Sequence, residues 1–294
     1  MPNPRHPLAE VFGFPTDNMT PEADRYRRHK LCPYGNRVPN CTKDKAENPL
    51  GVCSVYDDNA AVITCPIRFR QQWIIDDDAS AFFFPQHTSW TSLTEVRLNN
   101  KHGKSAGNID VVLVAYDDRE RVIDFGALEV QAVYISGNVR RPFEYYIEDA
   151  EKRSDMDWQG KSNYPRPDYV SSSRKRLAPQ LIYKGGILNA WNRKIAVALN
   201  RGFFGTLPVL DEVDESHADI AWLVYDLCYD ATRNQYALDR YKTVYTKFEA
   251  SLNQITKTES GEEKEFIEAL QMKLDAKLEN GDSSDACISS NELL

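Results

Sequence analysis

The run Ile109-Asp110-Val111-Val112-Leu113-Val114-Ala115-Tyr116 is followed, after the polar stretch Asp117–Arg121, by Phe125-Gly126-Ala127-Leu128-Glu129-Val130-Gln131-Ala132-Val133-Tyr134. Two apolar, β-branched runs joined by a short polar connection read as a β-hairpin. Side chains alternate across a strand, so Glu129 and Gln131 share a face. Normal twist brings Asp110, near the start of the first strand, beside them. Three oxygen-bearing side chains so placed suit a divalent cation of the kind that hydrolyses phosphodiesters, with Asp110 and Glu129 as Mg²⁺ ligands. The competing reading is two carboxylates that cap turns or pair with arginines. Burying two acids on adjacent strands is costly without a metal or another cation, which favours the first reading.

A chain of 294 residues accommodates one large core or about two domains. Its net charge of −8 argues against a protein that coats nucleic acid indiscriminately. The charge is uneven, however. Between Lys161 and Arg201 basic residues face only Asp168, and acids dominate again from Asp211. A basic block in an acidic chain points to a focused anionic partner, although an unbalanced solvated surface has the same composition. No stretch reaches the roughly 18 apolar residues that span a membrane, and the N-terminal Met-Pro-Asn-Pro-Arg-His-Pro lacks the apolar core of a secretory signal. A reducing cytoplasm is the expected setting. No phosphate-cradling loop is present, so coupling to a nucleoside triphosphate is not expected. The five histidines have no ligand spacing, which disfavours a histidine–metal nuclease.

Cys32, Cys41, Cys53 and Cys65 cluster in an N-terminal stretch rich in Pro, Gly, Asn and Asp, whereas Cys228 and Cys287 stand apart. Such a stretch, poor in apolar periodicity, does not close a core unaided. A Cys₄ metal site would supply the missing stability, with Zn²⁺ or iron as the metal. The gaps are long and lack Cys-x-x-Cys knuckles, so buried free thiols remain the alternative. Cys228, in the apolar run Ile220–Cys228, is expected in the core.

Coarsely, residues 1–70 read as an irregular arm with the cysteine fold, 71–278 as a nuclease and recognition domain, and 279–294 as a disordered tail. Helical patterning is expected over Gln72–Phe84, Arg141–Arg153, Tyr241–Ile255 and Glu262–Leu278, with strands at Lys194–Leu199 and around Trp222. Strands bracketed by helices give an α/β class.

The stretch from Thr94-Glu95-Val96-Arg97-Leu98 through Gly103-Lys104-Ser105-Ala106-Gly107-Asn108-Ile109-Asp110 to Leu128-Glu129-Val130-Gln131 resembles the NotI family of type II restriction endonucleases. So do Arg166-Pro167-Asp168-Tyr169 and Ser171-Ser172-Ser173-Arg174-Lys175-Arg176-Leu177-Ala178-Pro179-Gln180. The resemblance implies a PD-(D/E)xK nuclease core, a mixed central sheet flanked by helices, with an N-terminal Cys₄ metal-binding fold. It also implies a homodimer acting on double-stranded DNA at a GC-rich palindrome centred on GGCC, such as CGGCCG or GCGGCCGC, and a structural metal, iron in this family.

Phosphodiester hydrolysis requires the barrier to fall by on the order of 20 kcal/mol. General acid–base catalysis supplies only roughly 3–5 kcal/mol of that, so a metal must contribute charge stabilisation, water activation and alignment together. Gln131 replaces the superfamily lysine. It can orient water but brings no charge and cannot act as a base at neutral pH. Glu95 is a candidate fourth acid for a second metal position, or else a strand-face Glu paired with Arg97 or Lys104. Reading G·C pairs favours Arg or Lys on guanine, so Arg174, Lys175, Arg176 and Lys184 are the candidate DNA contacts. Most such contacts go to phosphate rather than bases. Arg25, Arg27, Arg28 and Lys30 form a second possible strip. The Asp57-Asp58 and Asp76-Asp77-Asp78 runs read as caps or exposed turns. Two rival functions stay open: a Cys₄ DNA-binding regulator that does not cut, and a repair or mobile-element nuclease with weak sequence preference.

Overall fold

The computed structural model describes residues 5–35, 39–44, 47–258 and 260–279 of the chain. The described residues up to Thr256 form one compact unit, and those from Lys257 to Glu279 belong to a second. The tail expected over 279–294, with Cys287, lies outside the described residues except for Glu279, which ends a helix.

The N-terminal arm is not irregular. It builds a four-stranded sheet in the order β2-β1-β3-β4 from β1 (Leu8–Val11), β2 (Phe14–Pro15), β3 (Val52–Asp57) and β4 (Ala60–Ile63). All four residues of β1 and the first five of β3 are buried. With both faces covered, these short strands carry no polar–apolar alternation, which is why the sequence pattern hides them. Leu8, Val11, Phe12, Val52 and Val55 pack with Phe143, Tyr146 and Trp158 in a cluster of their own. Helix α1 (Pro21–Arg28) starts where Thr20 accepts a hydrogen bond from the Ala23 amide and Pro21 occupies the first turn.

The central sheet has six strands in the order β12-β11-β10-β7-β6-β5. They are β5 (Trp90–Asn99), β6 (Ser105–Tyr116), β7 (Val122–Gln131), β10 (Ile195–Asn200), β11 (Ile220–Asp230) and β12 (Gln235–Thr246). β8 (Tyr134–Ser136) and β9 (Arg166–Asp168) form a separate pair. β10 runs parallel to both neighbours, β7 and β11, and the remaining pairings are antiparallel. The sheet is therefore mixed, with helices on both faces. Helix α2 (Ile74–Phe83) covers the face of Leu113, Leu128, Ala198 and Leu223. Gly126 allows this close approach, because a Cβ there would lie 2.4 Å from the Phe83 ring. The opposite face, with Ala127, Val197, Leu199 and Trp222, is covered by Leu177, Leu181 and Leu188 and by Phe248. Helix α3 (Arg140–Glu148) belongs to the N-terminal cluster.

Three expectations need correction. Residues up to Thr246 of the helix expected over 241–255 continue β12, and the helix begins only at Phe248. Cys228 is exposed: it shares the face of Trp222 and Val224 but sits near the end of β11, where cover is lost. Asp78 is more than a cap, since its carboxylate accepts from Tyr225 Oη at 2.6 Å and Arg240 at 2.8 Å, tying α2 to the sheet. In the second unit, the helix Glu263–Glu279 places Glu263 and Glu265 in its first turn and Lys277 in its last, as the helix dipole favours.

The N-terminal sheet is held to the central one by a buried ion pair. Arg68 donates to Glu10 at 3.0 Å with both side chains wholly inaccessible, and it also donates to the Tyr236 carbonyl of β12. Removing one partner of such a pair leaves a charge unpaired in the interior. Arg68→Ala should lower the unfolding free energy by about 3–5 kcal/mol in chemical denaturation, and Glu10→Leu with Arg68→Leu should recover much of it. His6 gives a pH signature. It is fully buried, its Nδ1 accepts the Leu8 amide, and burial pushes its pKa down to about 4. The unfolded chain takes up this proton near pH 6.5 and the folded protein does not. Stability from this site is therefore intact above about pH 6.5 and declines as pH falls toward 4, by roughly 3 kcal/mol in all. His6→Asn keeps an acceptor for Leu8 and should abolish that part of the pH dependence in parallel denaturation curves.

Candidate active site

β6 and β7 are paired from Tyr116↔Val122 to Val111↔Leu128, where their ladder stops. Beyond it β7 pairs with β10, through Val197↔Glu129 and Leu199↔Gln131, while β6 continues along β5. The two strands part there, and the register sets Asp110 opposite Glu129 at the opening. Asp110 Oδ2 accepts the Val130 amide at 2.8 Å, taking the bond that a longer ladder would have supplied.

Glu129 and Gln131 are buried, at 4% and 2% exposure. Burial, and then repulsion from the Asp110 carboxylate, push the Glu129 pKa up to about 8, although Lys184 pulls the other way. Lys184 Nζ lies 2.5 Å from Glu129 Oε2 and donates to the Asn108 carbonyl at 2.8 Å. Glu129 Oε1 is buried and has no hydrogen-bond partner among the described residues. Gln131 Nε2 donates to Gln180 Oε1. Glu95 is exposed on β5 and falls opposite Asp110 by register, between Thr94↔Val111 and Val96↔Ile109. Its left-handed φ of 56° interrupts the ladder at that point.

Lys184 and Gln180 come from a helical stretch, residues 169–190, with two wide turns at Ser173–Leu177 and Leu181–Gly185. A proline inside a regular helix clashes with the carbonyl four residues earlier. The first wide turn makes room for Pro179, and such turns recur at functional sites. Gly185 lets the stretch lie against the helix at Phe248, where a Cβ would come 2.7 Å from the Phe248 ring. Lys184, expected among the DNA contacts, is thus only 5% exposed and turned into the site. The sequence carried a signal for this: Lys184 interrupts the inward row Leu177, Leu181, Leu188, a position where a charged residue requires a buried partner.

Arg174, Lys175 and Arg176 are exposed on the same stretch, with the Arg176 guanidinium 4.7 Å from the centre of the Tyr134 ring. In the second basic strip Arg27 is buried and donates to the Asn18 and Pro15 carbonyls, so it is structural.

Backbone pairing brings the four N-terminal cysteines together two by two. Cys32 and Cys41 flank the Leu31↔Asn40 bridge, and the Cys65 amide donates to the Cys53 carbonyl. Burial and the neighbouring thiols push Cys41 up to about 11, and Cys32 and Cys53 are raised by the same causes. Among the described residues, however, no three His, Cys, Asp or Glu side chains are grouped as a metal site requires. At the acidic pair the donor chemistry does fit a hard divalent cation: two carboxylates, one of which has a buried oxygen with no hydrogen-bond partner among the described residues.

Residues 17–238 match the family model described as Restriction endonuclease NotI. The chain belongs to the NotI restriction endonuclease family. That match takes in the four N-terminal cysteines, the parted strands and the helical stretch, and it makes the protein a type II restriction endonuclease acting on double-stranded DNA. No curated protein matches the chain. No helix among the described residues is long and apolar enough to cross a membrane.

Proposed function

We propose that this NotI-family enzyme cuts both strands of a GGCC-centred palindrome by Mg²⁺-dependent phosphodiester hydrolysis, on a PD-(D/E)xK-type core, as a homodimer in the prokaryotic cytoplasm. The observation that carries the chemistry is the parting of β6 and β7, which sets Asp110 against Glu129 and leaves Glu129 Oε1 without a partner. Asp110 and Glu129 would hold the ion, which when bound supplies charge stabilisation and an activated water. The Val130 amide fixes the orientation of Asp110. Gln131, steadied by Gln180, is restricted to orienting water, and Glu95 lies at the register position for a further carboxylate. Arg174, Lys175 and Arg176 offer an exposed cationic edge for phosphates or guanines.

For the cysteines, we infer a structural iron or zinc held by Cys32, Cys41, Cys53 and Cys65. The backbone pairing that brings these residues together two by two, and the electrostatic influence of Cys65 and Cys32 on Cys41, support that reading. The thiols would close toward the metal on binding, which deprotonates them.

Digestion of sequenced GC-rich DNA tests the main reading. Discrete fragments are expected with Mg²⁺ and none with EDTA, and their ends would give the site and stagger. Asp110→Ala and Glu129→Ala should each lose at least a hundredfold in cutting rate, an outcome reversed if either still cuts fully. Cys32→Ser should lose the tightly bound metal measured per chain and lower the melting temperature, while unchanged metal content would remove the Cys₄ assignment.

A further inference from the structure

Position 131, two residues past the acid on β7, carries no charge, yet a cation does reach the site from the opposite side. Lys184 crosses from the helical stretch, and its ammonium bonds both acid-bearing strands, through Glu129 Oε2 on β7 and the Asn108 carbonyl on β6. An ammonium has three donors. Two are committed, which leaves a third with no acceptor among the described residues. Lys184 and Gln180 stand four residues apart on one side of the stretch. They engage Glu129 and Gln131, which stand two apart on one side of the strand.

The two oxygens of Glu129 are not equivalent. Oε2 is tied to Lys184, and Oε1 is the buried, unpartnered one. The lysine therefore decides which oxygen is free. We propose that Lys184 is the positioning lysine of this active site, delivered from the helix in place of the one that Gln131 lacks: it pins Glu129 so that Oε1 faces the ion-binding position, and it supplies the local positive charge. This rests on the reading of Asp110 and Glu129 as the catalytic acids. A surface DNA contact, by contrast, would not require a side chain 5% exposed with both identified bonds inside the protein.

The test compares Lys184→Met, Lys184→Arg and the double variant Lys184→Met with Gln131→Lys, which returns the charge to the strand. Each is measured for apo melting temperature, for binding of a GGCC-containing duplex in Ca²⁺, and for cleavage rate and half-saturating Mg²⁺. Loss of one preorganised charge at an active site costs on the order of a hundredfold or more in rate. Lys184→Met is expected to lose that much in kcat at saturating Mg²⁺ while duplex binding stays within about twofold. Lys184→Arg and the double variant are each expected to regain at least about tenfold. Full kcat in Lys184→Met overturns the proposal, as does failure of both charge-bearing variants to exceed it. If Lys184→Met does not fold, the double variant and Lys184→Arg decide alone, and inactive but folded forms of both overturn it. Asp110→Ala, run beside them, separates the two levels: cutting by that variant removes the acid reading itself, whereas its inactivity with a fully active Lys184→Met removes only the lysine.

Discussion

Two carboxylates on neighbouring strands, one of them almost wholly removed from water, repel each other, and the arrangement of the surrounding chain answers that repulsion. The Val130 amide takes one Asp110 oxygen. The Lys184 ammonium takes one Glu129 oxygen. Neither is available unless β7 leaves β6 at Leu128 and the 169–190 stretch lies flat on the sheet. Buried carboxylates are tolerated only when paired or hydrogen-bonded, so the end of one ladder, the parallel seat of β7 on β10 and the wide turns over it are parts of a single solution.

Much of this was legible beforehand, and the exceptions have physical causes. The hairpin was readable because both its strands carry long β-branched runs and its turn is strongly polar. Asp117 closes that turn, accepting the Arg119 and Arg121 amides. The family followed from motifs on those strands. Lys184 reads as a DNA contact because it lies in the basic block with Arg174, Lys175 and Arg176, although its place in the row Leu177, Leu181, Leu188 already turns it inward. The N-terminal sheet was missed for the opposite reason: its strands are buried on both faces, and burial erases the alternation by which strands are recognised. At Tyr241–Thr246 the spacing of the aromatic residues fits both periods, and pairing with β11 settles it as strand.

The N-terminal layer does more than present cysteines. Glu10 reaches Arg68, Arg68 reaches the Tyr236 carbonyl, and Tyr56 Oη lies 2.9 Å from Tyr236 Oη. Tyr169, at the head of the helical stretch, donates to Asp57 at the end of β3. The same layer thus contacts the far edge of the sheet and the start of the element that carries Lys184.

The wide turns also bear on how the chain can change by insertion and deletion. Each accommodates about one residue more than a regular turn, and a helix advances roughly 100° per residue. Deleting a single residue within the first, Ser173–Leu177, would restore regular winding there but rotate the following side chains by about that angle, carrying the ammonium off Glu129. A family member without the extra residue would need its inward cation at a neighbouring position in the alignment. Column-by-column comparison would then report a lost lysine where the charge had only moved along the helix.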